Sequence, residues 1–268
     1  MKGLSRLIKT IVPINIRTRV IKELDSILGI NFSGWGMRTT HDVPWNSIGN
    51  ECFLQANSYV KKHFEFSGDD GVKLSDIDRL LWRHWIVSYC VRHAIKFTEK
   101  HADMVECGVC DGLTAFFALN ELQHNPSIRY VQMHLYDAWS PMLKEHLLED
   151  EAPLIGKYPN ISVARVKKNL NKFLNRIIFH PGHIPESLHV KPSSPKKISY
   201  LSIDLNSAKA TVAVLEYFFP KLVKGGIILF DDYGWLDFHS TKEAVDKFFA
   251  NKQGILMPLP TGQAIYYR

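Results

Sequence analysis

From residue 104 onward, short apolar runs alternate with segments of helical period, and several runs stop on an acid or a glycine. The runs are 104–107, 130–136, a third within 173–179 that also holds a helix end, then 198–203 and 226–230. Between them, 112–123, 207–222 and 241–251 carry apolar residues three and four apart, the spacing that puts side chains on one helix face. A short apolar run without polar alternation has to be covered on both faces. Strand–helix–strand repeats close with right-handed crossovers into a parallel sheet. The predicted class is α/β, a doubly wound and mostly parallel sheet. Residues 255–259 and 263–267, joined at Thr261-Gly262, read as a closing hairpin, which adds antiparallel character at one edge and brings the sheet to seven strands.

The chain before this pattern is of another kind. Residues 76–97 form a strong helix, with Leu80, Leu81, Trp85, Val87, Tyr89 and Val91 on a wide apolar face and Ser75 or Asp76 to cap it. Residues 31–74 hold scattered Gly, Pro, Trp and Asn without a sustained period. Such a stretch is irregular with short helices and serves as a lid or a connector. Near the start, Leu4, Leu7, Ile8, Ile11 and Val12 fall at helical spacing among Lys2, Arg6 and Lys9. That basic amphipathic helix has two readings. It lies on an anionic membrane surface, or it packs on the main domain or on a second copy in a homo-oligomer. The 268 residues divide accordingly into a helical and irregular extension, 1–75, and one domain, 76–268.

Composition narrows the partners. The net charge is +6, yet lysines and arginines are dispersed and no aromatic–basic interleaving marks a nucleic-acid surface. No run long enough to span a membrane and no signal-peptide pattern is present. Cys107 and Cys110 have C-x-x-C spacing but no second pair, so Cys107 reads as a small buried hydrophobe in a reducing compartment. The expected location is cytoplasmic, with the N-terminal helix as the means of any contact with the inner face of the membrane.

Two constellations carry chemistry. The first joins 104–107 to its helix as Glu106-Cys107-Gly108-Val109-Cys110-Asp111-Gly112. Open α/β sheets bind ligands at the carboxyl ends of their strands. Gly108 permits a sharp turn and close ligand approach, and Gly112 permits close packing at the helix start. A dinucleotide loop has a third glycine and amides facing a pyrophosphate, whereas a carboxylate here repels phosphate. The loop suits a ligand with an ammonium group and no phosphate, such as S-adenosylmethionine. Asp137 ends the next run, where an acid can accept from both ribose hydroxyls.

The second constellation is Asp204, Asp231 and Asp232. Residues 198–203 and 226–230 both stop on acids. If these strands are neighbours, three carboxylates converge and raise one another's pKa. A hard divalent cation relieves this, and oxygen ligands suit magnesium, calcium or manganese. A cation there can hold a hydroxyl and lower its pKa. Among twelve histidines, His146, His183 and His239 sit in or near loops at the carboxyl edge and are candidate general bases, while His134 lies inside a strand and reads as structural.

These residues resemble a family. Val105-Glu106-Cys107-Gly108-Val109 is similar to its first cofactor motif, Leu135-Tyr136-Asp137 to its ribose-binding strand end, and Phe179-His180-Pro181-Gly182 with Glu186-Ser187-Leu188 to its third-strand segment. Ile203-Asp204, Gly225-Gly226 and Asp231-Asp232-Tyr233-Gly234 resemble its metal half. The family is the macrocin O-methyltransferase type, whose members methylate sugar hydroxyls with magnesium on a Rossmann-like methyltransferase sheet. The resemblance implies that Asp204, Asp231 and Asp232 hold magnesium and that Asp204 assists deprotonation. It implies that Glu106, Gly108, Thr114 and Asp137 line the cofactor pocket and that His183 and Ile184 flank the adenine. Leu205-Asn206-Ser207 departs from the family, which more often has an acidic or aromatic pair there.

The expected activity is S-adenosylmethionine-dependent O-methylation of a sugar in a surface polysaccharide, glycolipid or glycosylated natural product. A catechol or phenol acceptor is the alternative, since paired acids also suit adjacent hydroxyls. A non-catalytic S-adenosylmethionine-binding module is opposed by the intact acids.

Overall fold

The computed structural model describes residues 43–68, 71–98, 101–125, 131–190, 194–235 and 238–268. The basic segment 4–28, with its membrane and self-association readings, lies outside the described residues. The chain divides into two compact units, Met1–Asn46 and Ser47–Arg268. The sheet and the site lie in the second.

The expected domain boundary at residue 76 moves to Ser47. The reason is helix α1, Glu51–His63. Its Phe53 is fully buried, edge-on to Trp85 at 5.3 Å and against Phe117 at 5.4 Å. Tyr59 stacks on Phe116 at 5.3 Å. Burying a side chain such as Phe53 contributes roughly 1.5–3 kcal/mol, so α1 belongs to the core rather than to a connector.

The sheet has β1 Asp103–Cys107, β2 Met133–Asp137, β3 Ile177–Pro181, β4 Ile198–Ile203, β5 Leu222–Phe230, β6 Ile255–Pro258 and β7 Ala264–Tyr267. Its seven strands run in the order β3-β2-β1-β4-β5-β7-β6. The first five are parallel, while β7 is antiparallel to β5 and β6 to β7. This is the doubly wound sheet with an antiparallel terminal hairpin that the alternation implies. The strand order reverses between β1 and β4, which opens a crevice at their carboxyl ends.

Five more helices follow: α2 Leu81–Phe97, α3 Leu113–Gln123, α4 Val163–Asn169, α5 Ala208–Phe218 and α6 His239–Phe249. Val214 and Leu215 of α5 and Val245 of α6 share one buried cluster with Leu201, Ile203, Ile228 and Phe230. The alternate residues Met104, Tyr200 and Ile227 are also buried and face the other side by strand periodicity, where α2 lies against β4 and β5. Among the described residues no helix is long and apolar enough to cross a membrane.

Element ends depart from expectation where local hydrogen bonds intervene. Asp76 does not start the long helix. It closes a 3-10 turn, Leu74–Asp76, and its carboxylate accepts from the Lys73 amide at 3.0 Å. The helix expected to reach residue 222 stops at Phe218, and a 3-10 turn, Phe219–Lys221, follows. Pro220 has no amide hydrogen to continue the ladder. β5 then starts at Leu222 rather than 226, because a register shift lets Leu222 pair with Ile198 before Ile227 pairs with Tyr200.

Candidate active site

The sheet's last rungs fix the site. The amide of Gly108 donates to Tyr136 O at 2.9 Å, that of Asp204 to Cys107 O at 2.9 Å, and that of Asp231 to Ile203 O at 2.9 Å. Gly182 likewise donates to Asp137 O at 3.0 Å. The residue just past each strand is therefore pinned to its neighbour, and the functional side chains form one row along the crevice. A cavity of about 540 Å³ opens over this row, lined among others by Gly108, Thr114, Asp137, Ile184, Asp204 and Asp232. That volume lies within the ordinary range for small-molecule sites.

In the cofactor half, Asp137 organises the loop after β1. One oxygen accepts from the amides of Val109 at 2.6 Å and Cys110 at 2.9 Å, and the other from Trp139 at 2.6 Å. Burial raises its pKa and these three amides oppose the rise. Gly108 has φ +84°, and a Cβ there would lie 1.7 Å from the Asp204 carbonyl oxygen. Close approach of β4, in addition to any ligand, dictates the glycine.

Two expected cofactor residues sit behind the cavity wall among the described residues. A Cβ at Gly112 would lie 3.1–3.3 Å from Val166 of α4 and from Leu170 just beyond it. Glu106 is completely buried, with the Ala115 backbone amide against its carboxylate. Burial and the charges of Asp204 and Asp137 push it well above the usual carboxylate range. Cys107 is buried and Cys110 half-buried, both as free thiols.

In the acidic half, Asp204, Asp231 and Asp232 present oxygens that all lie within 4.8 Å of one another. Asn206 holds Asp232: its amide and its side-chain Nδ2 donate to Asp232 Oδ2 at 3.0 and 2.8 Å. Asn206 adopts φ +52° and accepts from Tyr158 Oη at 2.7 Å. Gln263 Nε2 donates to Asp231 Oδ1 at 2.9 Å, and Arg83 pairs with Asp231 Oδ2. Burial first and Asp232 second raise the pKa of Asp204, and burial raises that of Asp232. Three hard oxygen ligands in this arrangement fit a divalent cation, with Asp204 the carboxylate that accepts no hydrogen bond among the described residues.

Residues 87–268 match the profile of the macrocin O-methyltransferase (TylF) family. The chain belongs to that family. It is an S-adenosylmethionine-dependent O-methyltransferase. The fold is shared with the O-methyltransferase NovP, at 21% identity over 70% of this chain and 80% of NovP, TM-score 0.61. It is also shared with the calicheamicin methyltransferase CalS11, at 17% identity over 88% of this chain and 98% of CalS11, TM-score 0.60. No curated protein matches the sequence.

The candidate bases separate in this macrocin-family enzyme. His183 lines the cavity, contacts Ser140 Oγ at 3.1 Å and stacks on His146 at 4.9 Å. It lines the cavity beside Gly182, which is pinned to Asp137, and so lies in the cofactor half. His239 opens α6 on the surface beside Asp150 at 3.7 Å, with its side chain 67% exposed, and is not among the cavity-lining residues. His134 is buried between Asp103 and His180, at 3.4 and 2.9 Å, in the structural role its strand position implies.

Sequence reasoning did not single out Arg83, Tyr158, Trp235 or Gln263, and took Asn206 only as a departure. Arg83 carries a signal, since it sits three residues after Leu80 and four before Val87, on the buried stripe of α2. The others have none, because long-range folding brings them in. Asn206→Ala removes the side-chain bonds to Tyr158 and Asp232, keeps the backbone amide bond to Asp232, and places alanine at positive φ. A loss of about 2 kcal/mol is expected in urea unfolding, and an unchanged midpoint would show that Asp232 does not depend on Asn206.

Proposed function

We propose that this enzyme methylates a sugar hydroxyl and that a magnesium ion assists at Asp204, Asp231 and Asp232. The charge of the cavity carries this reading. Its described lining includes Asp76, Asp111, Asp137, Asp204, Asp231 and Asp232, against Arg83 as the one lysine or arginine. Such a lining favours a sulfonium and an ammonium on the donor and a divalent cation beside the acceptor, and it disfavours a pyrophosphate cofactor. Gly108, Thr114, Asp137, His183 and Ile184 would hold the donor. Bound there, the donor supplies an electrophilic methyl whose transfer forms one C–O bond and breaks one C–S bond, leaving a neutral thioether. The ion would supply charge stabilisation for the ionising hydroxyl. Asp204 accepts the hydroxyl proton, since it faces the cavity and, among the described residues, its carboxylate accepts no hydrogen bond. Asn206 and Gln263 hold the flanking carboxylates in place. Trp235, 44% exposed at the cavity, offers an apolar face to a sugar ring. A sugar acceptor also accords with CalS11, a TDP-rhamnose 3'-O-methyltransferase.

Chelation tests the ion. EDTA treatment should lower turnover on a panel of sugar acceptors by about a hundredfold or more, and magnesium should restore it. Turnover indifferent to chelation removes the ion from the proposal, and transfer to catechols but to no sugar replaces the acceptor.

A further inference from the structure

Arg83 is out of place in a cation-binding cluster. It projects from the first turn of α2 into the acidic half of the cavity. Its guanidinium pairs with Asp231 Oδ2, lies 5.5 Å from the Trp235 ring centre and approaches Thr261 O at 3.5 Å. The Arg83 and Asp231 side chains are 17% and 18% exposed, so water screens the pair weakly. The other oxygen of Asp231 is engaged by Gln263. Both oxygens of Asp231 are thus already engaged, whereas Asp204 accepts no hydrogen bond among the described residues and Asp232 keeps Oδ1. His84, the neighbour on α2, cannot share the task, since burial and the charge of Arg83 push its pKa down to about 3. Arg83 pairs directly with Asp231, and its charge also lowers the pKa of Asp204 and of Asp232.

We infer that Arg83 is the resident counter-cation of Asp231, so that a divalent ion binds first to Asp204 and Asp232 and reaches Asp231 only by displacing Arg83. This rests on the magnesium reading above. It makes the site a two-carboxylate centre with a third ligand held in reserve. It also explains how three carboxylates stay together in the ion-free protein, where unpaired buried charges would otherwise be costly.

The test is binding of Mn²⁺ alone to the full chain by calorimetry, without donor or acceptor. Arg83→Gln should tighten Mn²⁺ binding by about tenfold or more, because it removes a positive charge close to the ion and frees a carboxylate oxygen. Arg83→Met, which keeps the packing volume against Trp235, should do the same and serves if the glutamine variant does not fold. In an Asp231→Asn background the gain should disappear. Unchanged or weaker binding by the Arg83 variants overturns the inference, as does an equal gain in the Asp231→Asn background. Mn²⁺ binding by neither the native protein nor the variants overturns the magnesium reading as well, which separates the two failures.

Discussion

Asp204→Asn is expected to lower kcat by about three orders of magnitude while leaving S-adenosylmethionine affinity within about threefold. A positioned base contributes roughly 10² to 10⁴ in rate, and the amide can neither accept the hydroxyl proton nor place a charge beside an ion. The donor half stands on other residues. Asp137 holds its loop through three amides that do not involve the Asp204 side chain. The Asp204 amide donates the last β1–β4 rung, and asparagine keeps it. The same variant should make the ion-free protein more stable. The folded state raises the pKa of Asp204 through burial and Asp232, so it binds more protons than the unfolded chain above about pH 4. Native stability without ion is then fully present below that pH and falls as pH rises through the raised folded value. Asparagine flattens this fall. Kinetics, calorimetry and a thermal midpoint scanned from pH 4 to 9 (a range of about 5 units) read all three expectations. Retained kcat, or a lower midpoint at neutral pH, would sink the assignment of Asp204 as the base.

The parts of this enzyme legible in its sequence are those set by local period and strand ends. Runs such as 198–203 announce buried strands, and acids directly after them announce a row at the carboxyl edge, because parallel strands end together. Asp204 and Asp231 could be placed as neighbours once β4 and β5 were. What stayed hidden depends on backbone proximity across the fold. Glu106 and Gly112 share the loop motif with Gly108, but Glu106 is fully buried on β1 and Gly112, at a helix start, backs onto Val166 of α4. Spacing alone does not separate lining from backing residues. His239 lies near the carboxyl edge in sequence yet points to solvent, since it begins α6 beyond the cavity rim. Arg83 reaches Asp231 across a separation that no local pattern encodes. The strand ends named the acids, and the fold supplied their partners.

Gly108→Ala is the stability counterpart, with an expected loss of more than about 3 kcal/mol and of donor binding with it. A Cβ at this position meets the Asp204 carbonyl oxygen at 1.7 Å and its carbon at 2.6 Å. Both are backbone atoms that no rotamer change moves. Relief requires β1 and β4 to part at their carboxyl ends, which breaks the Asp204–Cys107 rung, or requires φ to leave +84°. Either response shifts Asp204 away from Asp232 and pulls the Val109 and Cys110 amides from Asp137. Gly112→Ala is the control. It has nearly the same φ, +85°, but its added methyl meets only side chains, Val166 Cγ1 at 3.1 Å and Leu170 Cδ1 at 3.2 Å, which can give way. Its cost should stay near 1–2 kcal/mol, the left-handed strain alone, and donor binding should survive because Gly112 stands behind the cavity wall. Urea unfolding and calorimetry on both variants compare them directly. Equal losses would mean that positive φ, rather than contact with the β4 backbone, makes Gly108 a glycine.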